Sequence, residues 1–344
     1  MGLAARGADA ARLLADLVTR DPAFVRGGTL APGDIPVFTL HSLAPRSFER
    51  KMRFLKNAGY RTLGIREYLD ALAGRRPAPE RSVLITIDDG RATTWTVGFP
   101  ILRALGLRAV AFVVTSVVCD SEDLGPTIAD LPEPQWGPLV ARDDLKDRPF
   151  ITWGEARAMR EVIDVESHTH WHARIPVGDA VAGTMSDAMR SGYGVFDRPF
   201  LWTNGTLVRD ASLPSGTPLP ASAPRLAGRP AHRSLDGTFE SPAEVEAAIR
   251  FDLAEARRLI RERTGADAKT VCYPWHVYSD LAKRIAAETG HEAAFAGKAD
   301  AGPAISRPGC DLFALARVGE DYVERLPGPG RRSLLSVLGD KLRR

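Results

Sequence analysis

Two adjacent carboxylates and a pair of histidines are the residues of this chain whose types and spacing could do chemistry. In Val83-Leu-Ile-Thr-Ile-Asp88-Asp89-Gly90, apolar and β-branched residues run into two aspartates and a glycine. A buried strand would therefore end by placing two acids at its carboxyl end, where open and barrel α/β folds build their sites. Neighbouring aspartates can divide labour there, one binding a cation and the other handling a proton. The plainer alternative is an Asp-Gly turn with solvated acids, because both residues favour turns for local backbone reasons. The second stretch is Ser167-His168-Thr169-His170-Trp171-His172. Histidines four apart on a helical turn or tight loop can bring two imidazoles to one ion, and imidazole nitrogen with carboxylate oxygen suits zinc. The alternative is a surface cluster with casual metal affinity. His170, between the two, would point elsewhere. An acidic strand end and a histidine pair in one α/β chain favour a divalent-metal site.

Those residues need strands to carry them, and the chain supplies short apolar runs alternating with helical periods. Residues 36–40 read as a buried strand ending at His41, and 47–58 as a helix with Phe48, Met52 and Leu55 on one face and Gly59 at its stop. Residues 60–65 read as a strand, 66–73 as a helix, 83–87 as the central strand, and the stretch from Gly90 to Leu105 as a helix. Further strands are expected at 108–114, 162–166, 270–274, 292–296 and 312–318. Further helices open at Thr152 and Ser241, each a capping residue with a glutamate three positions on, and another covers 279–289. This rhythm predicts repeated β-α units around a parallel sheet or barrel. Two stretches break it: 119–149, acidic and without period, expected to be an excursion or lid, and 173–240, rich in proline, glycine and serine. The domain reading is thus a helical lead-in over 1–34 with a helix at 8–19, a barrel over 35–325 carrying both insertions, and a basic amphipathic tail over 326–344 that packs on its own domain.

Composition narrows the function classes. Lys and Arg number 46 against 43 Asp and Glu, a balance of +3, and no basic run is interleaved with aromatics, so nucleic acid is not an expected partner. Cys119, Cys272 and Cys310 are far apart and read as reduced thiols. No continuous apolar leader opens the chain, and no stretch approaches the ~18 apolar residues needed to span a bilayer. A cytoplasmic protein without a membrane span is expected.

The motifs resemble those of the polysaccharide deacetylases of carbohydrate esterase family four. That family's Thr-Phe-Asp-Asp-Gly is similar to Thr86-Ile87-Asp88-Asp89-Gly90, and its His-Ser/Thr-x-x-His to the 168–172 run. Phe38-Thr-Leu-His41-Ser42 and Asn57-Ala-Gly-Tyr-Arg-Thr62 look like the opening of many members, and the likeness covers about residues 36–320 without the insertions. The resemblance implies a distorted (β/α) barrel of about seven strands, a divalent metal, most simply Zn2+, on Asp89, His168 and His172, and Asp88 as general base. Many members supply the acid from a histidine near the C-terminus, which this chain lacks. Members of circularly permuted order, similar to those acting on poly-N-acetylglucosamine, place it on the first strand, which implies His41 with His276 as fallback. Tyr273-Pro274-Trp275-His276 resembles the family's third motif, with histidine where others have glycine. Trp275 could stack on a sugar and Tyr273 line the groove. For the arginine that orients the base and lines the groove, Arg233 and Arg317 both qualify. The implied activity is removal of N-acetyl groups from an amino sugar of a glycan or glycan precursor. The rivals are hydrolysis of a non-sugar amide and a catalytically silent glycan-binding barrel.

Overall fold

In the computed structural model, residues 20–144, 148–190, 192–203, 205–233, 237–297 and 304–343 are described. The helix expected at 8–19 lies outside them. The apolar runs lie side by side as one parallel sheet in the order Ala293–Phe295, Thr270–Cys272, Ile163–Ser167, Ala109–Val113, Ser82–Ile87, Val37–Leu40 and Val318–Gly319, with Arg61–Thr62 also paired to Ser82–Ile87. The path nearly closes on itself. Leu315 bridges Phe295 on one edge strand, while Val318 pairs with Phe38 across the other side. The architecture is a parallel α/β half-barrel with seven strands along its path, in keeping with the sheet or barrel the alternation predicts and with the strand number the resemblance implies.

Side chains alternate across each strand. Leu84, Val110, Phe112, Phe295 and Leu315 share one core with Tyr68 and Leu69 of the helix Ile65–Leu72. Val83, Ile85, Ile87, Ala111 and Val113 share another with the helices Pro45–Asn57 and Phe99–Leu105. Asp88 follows Leu84 and Thr86 in period two, so the strand itself aims its last acid to the inner face.

Several expectations are corrected. The helix after Gly90 begins as a π turn over Thr94–Gly98 and becomes α-helical only over Phe99–Leu105; Pro100 has no N–H to return to the preceding turn. The last strand is only Val318–Gly319, because Ala314 N–H turns back onto Asp311 O. Residues 119–144 pack in part against the core. Asp143, 3% exposed, accepts the N–H and hydroxyl of Thr93 at 2.9 and 2.7 Å, and Ile128 and Leu139 join the core. The described residues of 173–240 include three antiparallel pairs, Arg174–Thr184 with Pro218–Pro224, Leu201–Thr203 with Thr206–Val208, and His232–Arg233 with Thr238–Phe239. Their prolines are compatible with two-stranded edges, where a missing N–H need not break a ladder. In the tail, Leu334–Arg343 is a helix whose buried Val337 packs on the main core with Leu334 and Leu338. Among the described residues no helix is long and apolar enough to cross a membrane.

Glu166 gives the fold a pH dependence. Its buried carboxylate accepts Thr270 N–H at 2.6 Å and Thr270 Oγ1–H at 2.9 Å, and burial pushes it up to about 8 in spite of them. The folded state therefore keeps a proton that the unfolded chain releases in the ordinary glutamate range, so stability should fall as pH rises from about 5 to 8. Glu166→Gln, which can accept the same two bonds, should flatten that slope and stabilise by roughly 1–3 kcal/mol at pH 8. Thermal unfolding across that range checks this; an unchanged slope would clear Glu166 of the effect.

Candidate active site

The strand Ser82–Ile87 ends in a turn that takes Asp89 and Gly90 to φ +74° and +69°. Aspartate tolerates the left-handed region, and a glycine follows where a Cβ would press to 3.2 Å on Val113. The two acids consequently face different neighbours. Asp88 is gripped by Arg317, with Nη1 to Oδ1 at 2.7 Å and Nη2 to Oδ2 at 2.8 Å. Burial alone would raise this carboxyl, but the guanidinium beside it holds it well below the usual range.

The strand Ile163–Ser167 delivers the histidine loop. The loop is held from the long helix Pro242–Thr264, where Asp252 accepts Trp171 N–H on Oδ1 at 2.7 Å and His170 N–H on its carbonyl. His172 N–H turns back to Thr169 Oγ1 at 2.9 Å. These bonds hold Thr169 and His172 at φ +67° and +47°. Among the described residues seven non-glycines are left-handed, and five of them (Asp89, Thr169, His172, Trp275 and His276) stand at this site. Backbone strain of that kind persists only where surrounding contacts over-determine it.

Asp89, His168 and His172 converge, all buried. Asp89 Oδ1 lies 3.5 Å from His168 Nε2 and 3.9 Å from His172 Nε2. Ligand atoms about 2.0–2.1 Å from a tetrahedral zinc would be spaced nearly so. His168 Nδ1 is 2.8 Å from Cys272 O, where it donates and leaves Nε2 to face the carboxylate. A lone pair facing a buried carboxylate requires positive charge between them, a cation or a proton. Accordingly, although burial works against it, Cys272 and Asp89 raise His168 well above its ordinary value, while burial and the charge on His168 depress His172. The donor set fits a divalent metal.

The remaining residues expected at the site divide. His41 ends the strand Val37–Leu40 on the same rim, its Nε2 3.9 Å from Asp88 Oδ2 and its side chain 42% exposed. A cavity of about 300 Å³ is lined by His41, both aspartates, His168 and His172, and by Phe196, Tyr273, Trp275 and His276. Trp275 packs its ring on His172 at 4.1 Å, with Arg174 5.2 Å over it. Tyr273 is fully buried, its hydroxyl donating to Phe313 O at 3.2 Å. Of the two candidate arginines, Arg317 lies on Asp88; its side chain is 0% exposed and also meets Thr86 and Ala296 O. Arg233 is not among the residues lining the cavity and is bound to Glu244 at 2.6 Å and stacked 5.0 Å over Trp202. His276 Nδ1 accepts from Arg317 Nη2 at 3.3 Å; partial burial of the ring and that guanidinium both lower it. His170 turns away to Thr115 Oγ1 at 2.8 Å. Sequence reasoning missed Arg91, Asp252 and Phe196. Arg317 did leave a signal, a lone charge inside the apolar run 312–318.

Residues 75–198 match the family model described as polysaccharide deacetylase. The poly-β-1,6-N-acetyl-D-glucosamine N-deacetylase of Escherichia coli K12 is 30% identical over 147 residues, which are 42% of this chain and 20% of that protein. The chain thus matches about a fifth of that relative's length. The BpsB deacetylase domain of Bordetella bronchiseptica has the same fold, with a TM-score of 0.56 at 22% identity over 83% of this chain and 96% of that one. IcaB of Ammonifex degensii gives 0.51 at 18% identity over 88% and 95%.

Proposed function

We propose that this chain is a metal-dependent N-deacetylase acting on N-acetylated amino sugars of a glycan or glycan precursor of the poly-N-acetylglucosamine type. The observation that carries the reading is the split between the two aspartates. One faces two imidazoles that fit a zinc-like cation, and the other is locked by Arg317 on the same cavity as a solvent-accessible histidine. The glycan comes from the E. coli relative's substrate, and the chemistry from the residues.

Asp89, His168 and His172 would hold the cation, which when bound polarises the acetamide carbonyl and makes water a better nucleophile. Asp88 is the general base. Held ionised by Arg317, it is in the proton-accepting form at neutral pH, and its fixed orientation costs no reorganisation when the attacking water gives up its proton. His41 is the acid. The C–N bond breaks only as the amine nitrogen gains a proton, and His41 lines the cavity next to Asp88. Trp275 and Phe196 line the cavity beside His172.

Acetate release from β-1,6-linked N-acetylglucosamine oligomers tests the activity. Binding without release would favour the silent glycan-binding reading, and release only from simple amides the non-sugar one. For the acid, His41→Ala should lower kcat by ~10²-fold or more with metal content unchanged. His276→Ala should not, because its imidazole is depressed toward the neutral form. The reverse pattern would transfer the role to His276.

A further inference from the structure

The carboxylate oxygens of Asp89 are used differently. Oδ1 faces the two histidines, whereas Oδ2 accepts from Arg91 Nε at 3.1 Å and Nη2 at 3.0 Å. The third nitrogen of that guanidinium, Nη1, donates to Ser42 Oγ at 2.6 Å, one residue beyond His41. We propose that Arg91 is a positioning residue that makes Asp89 a one-oxygen ligand and thereby sets the site's affinity for its cation; this rests on the metal-site reading above.

Three observations support a role by orientation. A carboxylate is free to turn about its last bond and offer both oxygens to a cation, and a fork closed on Oδ2 removes that freedom. The fork is itself fixed: Arg91 is 8% exposed, its backbone bridges Phe150, and Ile151 N–H donates to Gly90 O at 3.0 Å. Its charge would oppose a cation, but buried Asp143 lies close enough to interact with it electrostatically and is anchored through Thr93, whose hydroxyl also accepts Leu43 N–H at 3.0 Å. Asp143 thereby places a carboxyl near Arg91, and the fork on Oδ2 orients Asp89. One carboxylate oxygen and two imidazoles favour zinc-like ions over calcium, which takes six to eight oxygens and often both of a carboxylate.

Titration calorimetry of zinc into the metal-free full chain tests this without reference to turnover. Arg91→Met should bind zinc ~10–100-fold more weakly than the parent, the usual effect of losing a residue that orients a ligand. Arg91→Lys, which keeps charge and one donor but not the fork, should lose less. Equal or tighter zinc binding by Arg91→Met would overturn the proposal and leave Arg91 as a charge that merely competes. Should Arg91→Met fail to fold, Ser42→Ala on an exposed residue removes the Nη1 anchor together with the Ser42 bond to Asp143; a weaker zinc affinity there supports the proposal and an unchanged one overturns it. His168→Ala separates the two readings. Zinc binding undiminished in that variant means the metal site is misassigned, and the role of Arg91 falls with it.

Discussion

Asp88→Asn should leave the metal in place and lower kcat by ~10²–10⁴-fold, the usual range for deleting a general base. Asp88 contributes no atom to the Asp89, His168 and His172 group, so zinc content should match the parent. Stability should fall as well. Arg317 is wholly buried and both its Nη atoms lie on the Asp88 oxygens; an amide offers one acceptor and turns an N–H toward the guanidinium. Uncoupling a buried pair in this way typically costs ~3–5 kcal/mol, less where one hydrogen bond survives. Kinetics should therefore be measured well below the lowered Tm. Turnover within tenfold of the parent, in folded and metal-loaded protein, would give the proton-accepting role to another group.

Removing the metal should have an effect of comparable or greater size. Chelation, or the Asp89→Ala, His172→Ala double variant, should reduce acetate release by at least ~10³-fold, because the cation's stabilisation of developing charge is worth several kcal/mol and each 1.4 kcal/mol is tenfold in rate. Chelated parent should remain folded, since His168, already raised by the groups around it, can take up a proton and supply the positive charge that buried Asp89 requires. Zinc added back should restore the chelated parent and not the double variant. Full metal occupancy in the double variant would remove Asp89 and His172 from the site.

Much of the site is a matter of short distances along the chain. A run of apolar residues into Asp88-Asp89-Gly90 is a strand with acids at its end wherever the strand lies, and five consecutive residues suffice to bring His168 and His172 to one side of a loop. The alternation of periods two and 3.6 likewise indicated β-α units around a parallel sheet or barrel, because each period states which face an element buries; the choice of barrel came from the resemblance. The insertions were harder to read. In 119–149 no period exists to detect, and its packing depends on single contacts such as Asp143 with Thr93, 50 residues away. In 173–240 the strands are two-stranded edges that bury one side weakly, so proline and glycine dominate their appearance.

Only the tertiary structure decided which arginine meets Asp88. Arg233 and Arg317 are equivalent as residue types, and what separates them is barrel closure, which brings position 317 to position 88 across 229 residues and leaves Arg233 on an outer hairpin with Glu244. Arg91 shows the same limit at short range. It stands two residues beyond Asp89, yet its side chain returns to that acid only because the left-handed turn at Asp89 and Gly90 reverses the chain, and because Ser42, on a neighbouring strand end, holds its far nitrogen. Local composition determined which groups are available. Which of them touch was set by long-range pairing of strands, a cooperative property that no local window contains.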